Sequence, residues 1–285
     1  MIDRRTFIKN SAVISSGVLA IPSCLSVSSK KEYEIGVQLY TVRDQMGKDP
    51  EGTLSKIADM GYKEIESAGY QSGKMYGFAG KEFQTILSDL GLKNVSAHIP
   101  LNVFTNDFEE ALEYMAESGG QYAVLPWLSA DDRQSIDQYK SYAELLNRSG
   151  EKAKTYGVEI CYHNHDFEFI EIDGELPMKV ILEGTDPDLV KMELDIYWIN
   201  KAGLDAEEFF KQNRKRVPLW HVKDMDATPE KGFTEVGEGV IDYVSIFEKK
   251  ELSGMKHFFV EQDVSVDPMK SIETSYKNLT QKILN

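Results

Sequence analysis

Polar side chains that could do chemistry follow the β-rich runs of this chain with unusual regularity. Imidazole and carboxylate groups brought together from separate runs would form a ligand set for Zn²⁺, Mn²⁺ or a related ion. We therefore expect one divalent metal ion (Mn, Zn, Mg or Co), the alternative being a hydrogen-bonded polar ring without metal. Only one of the five histidines, His257, starts a run instead of ending one. In chain order, the residues at the ends are Gln38, Tyr40, Glu66, His98, Trp127, His163, His165, Glu168, Glu193, Asp195, His221, Lys223, Glu261 and Asp263.

The elements that must position these residues alternate between helix and strand. Four helical stretches end in glycine just before a β-rich run, at Gly61, Gly91, Gly119 and Gly157. Glycine suits the left-handed position just past a helix end, so each glycine marks a helix-to-strand junction. The chain yields eight strand candidates: Ile35 to Leu39, Tyr62 to Glu66, Asn94 to His98, Tyr122 to Leu125, Val158 to Tyr162, Val190 to Leu194, Val217 to Val222 and His257 to Val260.

Eight strands that alternate with helices indicate a parallel sheet. Their number favours a closed barrel over an open doubly wound sheet, and no glycine-rich phosphate-binding motif follows the first strand. The chain of 285 residues suits one (β/α)₈ barrel, which typically takes about 250. We predict an α/β fold with a single TIM-barrel domain over residues 32–285. Its active site should lie at the C-terminal ends of the strands, where the polar residues stand.

The N-terminal residues predict an export signal. A twin-arginine pattern at Arg4 and Arg5 precedes an apolar run from Ser11 to Pro22, which is too short to span a bilayer as a stable helix. The run ends just before Cys24 in a pattern that resembles a lipoprotein signal-peptidase site; an ordinary cleaved signal is the alternative. We expect a signal peptide over residues 1–23, a Ser-rich tether over 24–31, and a periplasmic or membrane-anchored protein whose membrane contact is a lipid anchor at Cys24.

Composition restricts the partners of the chain. With 47 acidic and 32 basic residues, the formal charge of −15 would repel a phosphate backbone, so we expect no nucleic acid partner. Besides Cys24, the only cysteine is Cys161, so we expect no disulfide in the mature protein. We expect the first ordered strand to begin near Glu34.

Several segments of the chain resemble the xylose-isomerase-like superfamily, which includes sugar phosphate isomerases and epimerases, inosose dehydratases, dehydroshikimate dehydratases and endonuclease IV-type nucleases. The resemblance extends from about Glu34 to Val264. It implies a TIM barrel that holds a divalent metal ion and acts on a small carbohydrate. The segments that carry it are residues 36–43, 162–169, 193–198, 220–224 and 260–263.

The resemblance also implies a metal-ligand set of Glu, Asp, His and Glu from the last four strands. Asp195, His221 and Glu261 match the last three positions. The first position, which is normally Glu, is occupied by His163, and Glu168 follows five residues later. Either His163 or Glu168 would therefore complete the set.

This departure leaves two reactions open. The epimerases of the superfamily move a proton through a metal-stabilised enediolate between carboxylates of the fifth and eighth strands. With His163 in one of those places, a dehydratase or another eliminating lyase, acting on an inosose or keto-glycoside, becomes the alternative to a sugar isomerase or epimerase. Its base would be Glu261 or Glu168 and its acid His165, while Lys223 would hold a carbonyl or alkoxide oxygen. We expect the substrate to contact Gln38, Tyr40, Glu66, His98, Trp127 and Trp198.

Two other classes of protein are weaker hypotheses. A non-catalytic sugar-binding lipoprotein would not need Asp195, His221 and Glu261 together. A nuclease with several metal ions conflicts with the acidic composition. Export disfavours sugar phosphates as substrates, which leaves a free sugar, keto-sugar or polyol.

Overall fold

Eight parallel strands close into a barrel in a computed structural model that describes residues 33–285. The predicted TIM-barrel fold is confirmed. The signal peptide, the tether and Cys24 lie outside the described residues. The barrel strands are β1 (Gly36–Gln38), β2 (Glu64–Ser67), β3 (Lys93–His98), β4 (Tyr122–Leu125), β5 (Glu159–His163), β6 (Val190–Asp195), β7 (Leu219–Val222) and β10 (His257–Val260).

The ring of strands closes between β1 and β10. Gly36 pairs with Phe259 and Val37 with Val260. A Cβ atom at Gly36 would lie only 2.4 Å from Phe259 Cδ1, so glycine permits the close approach of the two strands. All eight predicted strands are present, although β1 begins two residues after the expected Glu34.

Helices cover the outside of the barrel and end at the predicted glycine junctions. Gly61, Gly91, Gly119 and Gly157 all have a positive φ, between 68° and 110°. No helix among residues 33–285 is long and apolar enough to cross a membrane. The helices are α1 (Arg43–Met46), α2 (Pro50–Met60), α3 (Gly80–Asp89), α4 (Leu101–Asn106), α5 (Phe108–Ser118), α6 (Ile136–Lys154), α7 (Pro177–Gly184), α8 (Ile196–Lys201), α9 (Ala206–Gln212), α10 (Tyr243–Glu248), α11 (Lys250–Ser253) and α12 (Pro268–Asn278).

The core has two parts, one between the barrel and its helices and a smaller one inside the barrel. The smaller part consists of Val95, Tyr122, Val124, Cys161, Leu219 and Phe259. On β5, Cys161 and His163 are two residues apart and share one face of the strand. The inner core therefore forms an apolar floor, and the polar residues follow it toward the C-terminal ends of the strands.

After β7, a short antiparallel ribbon of β8 (Asp224–Met225) and β9 (Phe233–Thr234) precedes a loop that is tied to the barrel. The Asp224 carboxylate accepts hydrogen bonds from the backbone N–H groups of Gly237, Gly239 and Ile241. This carboxylate thereby fixes the loop beside the end of β7, one residue after Lys223.

Candidate active site

Four of the five predicted metal ligands converge at the C-terminal end of the barrel. His163 Nε2 lies 3.2 Å from Asp195 Oδ2, and His221 Nδ1 lies 2.7 Å from Glu261 Oε2. One donor atom from each of the four lies within 4.8 Å of the others, and all four side chains are buried. We call this set the ligand cluster; it consists of His163, Asp195, His221 and Glu261.

Within the ligand cluster, His163 Nε2 and Asp195 Oδ2 form a hydrogen bond at 3.2 Å, whereas the close pair His221 Nδ1 and Glu261 Oε2 does not. Among the described residues, His221 Nδ1 and His163 Nδ1 have no hydrogen-bond partner, while Glu261 Oε2 forms an ion pair with Lys223 Nζ at 2.6 Å. A buried polar atom without a hydrogen bond costs about 1–3 kcal/mol. Two imidazoles and two carboxylates are a donor set that divalent ions such as Zn²⁺ and Mn²⁺ accept. The residues present therefore fit a divalent cation.

Glu168, the alternative ligand from the fifth strand, is directed elsewhere. Its carboxylate accepts hydrogen bonds from the Tyr162 hydroxyl at 2.7 Å and from the His165 backbone N–H at 2.8 Å. Burial raises the pKa of Glu168 to about 7. The geometry thus favours His163 over Glu168 as the ligand from strand five. Glu168 instead holds the turn that carries His165.

The end of β6 fixes the orientation of Asp195. Its Oδ1 accepts a hydrogen bond from the Trp198 backbone N–H at 3.0 Å and so caps α8, while Oδ2 faces the ligand cluster. The Asn164 side chain accepts a hydrogen bond from the Asp195 backbone N–H at 2.9 Å, which ties the ends of β5 and β6 together. Asp195 therefore has little freedom to leave the cluster.

A second polar layer lies beneath the ligand cluster. His221 Nε2 is 2.5 Å from Glu66 Oε2 and 3.3 Å from Glu193 Oε2. His98 Nε2 is 2.9 Å from the same oxygen of Glu193. The two nitrogens of His221 thus face two different groups of carboxylates, Nδ1 toward the ligand cluster and Nε2 toward this lower layer.

Gln38 and Glu66, which we expected to contact the substrate, belong to the lower layer. Gln38 Nε2 donates to Glu66 Oε2 at 2.8 Å, and the Ser96 hydroxyl donates to Glu66 Oε1 at 2.5 Å. Neither Gln38 nor Glu66 is exposed, and neither lines the cavity above the cluster. The two residues therefore lie beneath His221 and do not face the cavity. Their positions at strand ends could not show which of these two places they would occupy.

Lys223 brings a buried positive charge to the ligand cluster. Its Nζ lies 2.9 Å from Asp195 Oδ2, 2.6 Å from Glu261 Oε2 and 2.6 Å from Asp263 Oδ1. Burial opposes the charge, but the three carboxylates together hold the pKa of Lys223 well above its ordinary value. Lys223 is therefore an ammonium ion that also borders the cavity.

A cavity of about 720 Å³ opens above the ligand cluster. This volume lies in the range of roughly 300–1,000 Å³ that is usual for small-molecule sites. Four of the predicted substrate residues line it, with Tyr40 and Trp127 at 44% and 51% exposure. These four are Tyr40, His98, Trp127 and Trp198.

His165 borders the cavity beside the ligand cluster. Its ring stacks on Phe167, with 5.1 Å between centroids and 7° between planes, and lies 5.3 Å from the Trp198 ring. Burial lowers the pKa of His165 to about 3, so its imidazole is neutral at pH 7. His165 Nδ1 has no hydrogen-bond partner among the described residues. The ring is therefore held in place by its aromatic neighbours.

Comparison with known proteins identifies the family to which this site belongs. The sequence profile of the xylose isomerase-like TIM barrel family matches residues 54–279. The chain belongs to this family. An inosose dehydratase from Geobacillus thermodenitrificans is 24% identical over 255 residues, which cover 76% of this chain and 83% of that protein. Another, from Lacticaseibacillus casei, is 26% identical over 165 residues, covering 52% and 54% of the two chains.

Solved structures show the same family architecture. A sugar phosphate isomerase/epimerase from Parabacteroides distasonis is 26% identical, with a TM-score of 0.77 over 93% of this chain and 99% of that one. The IolI protein, in a structure with a zinc atom, shares the fold at 16% identity, with a TM-score of 0.70 over 88% and 98% of the chains. The inosose dehydratases and the sugar phosphate isomerase/epimerase are enzymes by name.

Three residues of this xylose isomerase-like site had no role in the sequence-based prediction. Asn164 and Phe167 stand between or beside the predicted histidines and carboxylates, and only the geometry shows that they position Asp195 and His165. The third, Arg133, follows β4 in a segment without any chemical pattern. Its guanidinium carbon lies 3.6 Å from the centre of the Phe167 ring.

Proposed function

We propose that this protein is a metal-dependent lyase that eliminates water from a keto-sugar or an inosose-like ketone. The observation that carries the proposal is that strand five contributes an imidazole, His163, to the ligand cluster, while the nearby carboxylate of Glu168 is bonded to Tyr162. An epimerase with two carboxylate bases needs one carboxylate on each side of the sugar. Here the residue from strand five that faces Glu261 across the ligand cluster is His163, an imidazole. An elimination needs no such symmetric pair.

The ligand cluster would hold the metal ion through His163, Asp195, His221 and Glu261. A divalent cation bound there would supply Lewis-acid chemistry, the polarisation of a substrate carbonyl and the neutralisation of negative charge on its oxygen. Lys223 supplies a second positive charge at the floor of the same cavity. The Lys223 ammonium group would hold a carbonyl or alkoxide oxygen of the substrate by a charge-assisted hydrogen bond.

His165 is the residue that we assign to proton transfer. Its imidazole takes the proton from the carbon next to the carbonyl, and the electron pair of that C–H bond forms a C=C bond as the hydroxyl on the next carbon departs. Because burial lowers the pKa of His165 to about 3, its imidazolium is a strong acid, which returns the proton to the departing hydroxyl so that water leaves and His165 is regenerated. The position of the ring beside the cluster, fixed by Phe167 and Trp198, supports this role.

A sugar isomerase or epimerase is the second candidate. It is favoured by the 26% identity to the Parabacteroides distasonis protein over 93% of this chain. The same His165 would then move a proton between two carbons of a sugar without loss of a leaving group. The two candidates differ in the product and not in the site.

Incubation of zinc- or manganese-loaded protein with keto-sugars and inososes in D₂O distinguishes the two reactions. The proposal predicts a product lighter than its substrate by one water, with the ultraviolet absorbance of a conjugated ketone. Asp195→Asn provides the inactive control, because it removes a carboxylate of the ligand cluster. A product of unchanged formula that carries solvent deuterium on carbon would instead establish isomerisation or epimerisation.

We further propose that the chain is exported by the twin-arginine route and lipidated at Cys24. The basis is the pattern of residues 1–24 alone. Fractionation of cells that express the full chain, compared with an Arg4→Lys, Arg5→Lys variant, tests export. Mass spectrometry of the mature N-terminus tests lipidation; an N-terminus without lipid on Cys24 would contradict it.

A further inference from the structure

Arg133 lies in the wall of the cavity, stacked against Phe167 but without an acidic partner among the described residues. It is half-buried, lines the cavity, and forms neither an ion pair nor a side-chain hydrogen bond with any residue in the range 33–285. By contrast, Arg148 on the outside of α6 lies 3.9 Å from Glu144. In a chain with 47 acidic residues, a guanidinium left open toward a cavity is available for a ligand.

The loop after β4 keeps the nearest acidic residues in sequence occupied elsewhere. Asp132 accepts a hydrogen bond from the Ser129 hydroxyl at 2.5 Å. Asp131 accepts one from the Gln134 side chain at 3.3 Å. The loop then enters α6 through a capping box between Ser135 and Gln138. Both carboxylates thus accept hydrogen bonds from uncharged donors of their own loop, and neither pairs with Arg133.

A series of contacting planar side chains separates Arg133 from the ligand cluster. The guanidinium carbon lies 3.6 Å from the Phe167 centroid, Phe167 lies 5.1 Å from His165, and His165 lies 5.0 Å from His163. Arg133 is therefore placed to contact a part of the substrate remote from the reacting carbons. Trp127, which is half-exposed, lines the same cavity and offers an aromatic surface to a bound sugar.

We propose that the cavity takes a two-part carbohydrate whose remote part carries an anionic group, a carboxylate of the uronic-acid type, bound by Arg133. The guanidinium fork matches a carboxylate or phosphate through two parallel hydrogen bonds. One free guanidinium balances the single charge of a carboxylate, which favours the acid over a phosphate ester. This proposal rests on the proposed function only for the identity of the part of the substrate that reacts.

Calorimetric binding to the zinc-loaded protein tests the subsite without requiring turnover. The probes are disaccharides of several linkages that contain glucuronic acid, each matched with its neutral glucose counterpart and with the phosphate ester at the same carbon. We expect the wild type to bind at least one acid about 10- to 100-fold more tightly than its neutral counterpart, the range of a charge-assisted hydrogen bond. Arg133→Met should abolish the preference, and Arg133→Lys should keep only part of it. Arg148→Met removes one exposed positive charge and should keep all of it.

Equal binding of acid and neutral sugar across the panel, or a preference that persists in Arg133→Met with an unchanged melting temperature, would overturn the proposal. A larger Arg133-dependent preference for the phosphate ester would support the anion subsite and identify phosphate as its ligand.

If acids bind through Arg133 but no keto-sugar is turned over, the subsite stands and the proposed function fails. If neutral keto-sugars are turned over without any charge preference, the proposed function stands and the subsite fails.

Discussion

His221 Nε2 lies 2.5 Å from Glu66 Oε2, on the side of the imidazole opposite the ligand cluster. The other nitrogen, Nδ1, lies 2.7 Å from Glu261 Oε2 within the cluster. A carboxylate behind a metal-binding histidine selects its tautomer, fixes its ring and raises its basicity as a ligand. Glu66 is thus a positioning residue for His221 and for the metal that the cluster would hold.

Glu66→Gln should weaken zinc binding about 10- to 100-fold, the usual cost of losing such a partner. Competition with a chromophoric chelator measures the affinity. Glu64→Gln is the matched control, because Glu64 lies two residues earlier on β2, is equally buried, and contacts His257 at 2.9 Å instead of the cluster. An unchanged zinc affinity in Glu66→Gln would show that His221 does not depend on Glu66.

His165→Gln should lose turnover while it retains the full content of metal. The reason is that His165 borders the cavity beside the ligand cluster without belonging to it. Metal analysis and initial rates on the same preparation check both parts. Loss of the metal would make His165 a ligand, and wild-type turnover would remove it from the chemistry.

Much of this arrangement could be predicted from the sequence, because strand ends of a barrel meet at one edge. Asp195, His221 and Glu261 each lie at or within one residue of the C-terminal end of a recognisable strand, so their convergence could be predicted from the fold. The choice between His163 and Glu168 could not be predicted, since it depends on the hydrogen bond from Tyr162 that holds Glu168 away. The role of Arg133 depends on which acidic neighbours already have hydrogen-bond partners. Sequence spacing cannot predict those partners.

Glu168 should make the stability of the metal-free protein depend on pH. Burial raises the pKa of its carboxyl from an ordinary 4.5 to about 7. Between these values the folded protein binds a proton that the unfolded chain has released. The contribution of Glu168 to the free energy of unfolding is therefore complete below about pH 4.5 and is lost as the pH rises toward 7. A shift of this size corresponds to ~3 kcal/mol.

Urea denaturation of the wild type and of Glu168→Gln, both in the presence of a chelator, measures this effect. The difference in the free energy of unfolding between the two proteins should fall steadily from about pH 4.5 to about pH 7 and then level off. A difference that is constant over this interval would contradict the assignment. Gln keeps the acceptor oxygen for Tyr162 and has no carboxyl group to titrate.

Lys223→Met should destabilise the metal-free protein by about 3–5 kcal/mol, because it leaves buried carboxylates without their cation. Zinc should restore part of the loss, since a divalent ion neutralises Asp195 and Glu261 in its place. Lys211→Met, which removes an exposed lysine 3.1 Å from Glu207, should change stability by less than about 1 kcal/mol. Thermal melts with and without zinc compare the three proteins. Equal losses in both variants would refute the role of Lys223.

Anomalous diffraction from crystals grown with zinc tests the convergence of the ligand cluster on one metal ion most directly. We predict one anomalous peak, with donor atoms of His163, Asp195, His221 and Glu261 at about 2.0–2.3 Å from it. Lys223 should remain paired with Asp263, to which it already donates a hydrogen bond at 2.6 Å. Full zinc binding in solution with a peak elsewhere in the crystal, or no peak at these four side chains at saturating zinc, would contradict the metal site and the proposed function built on it.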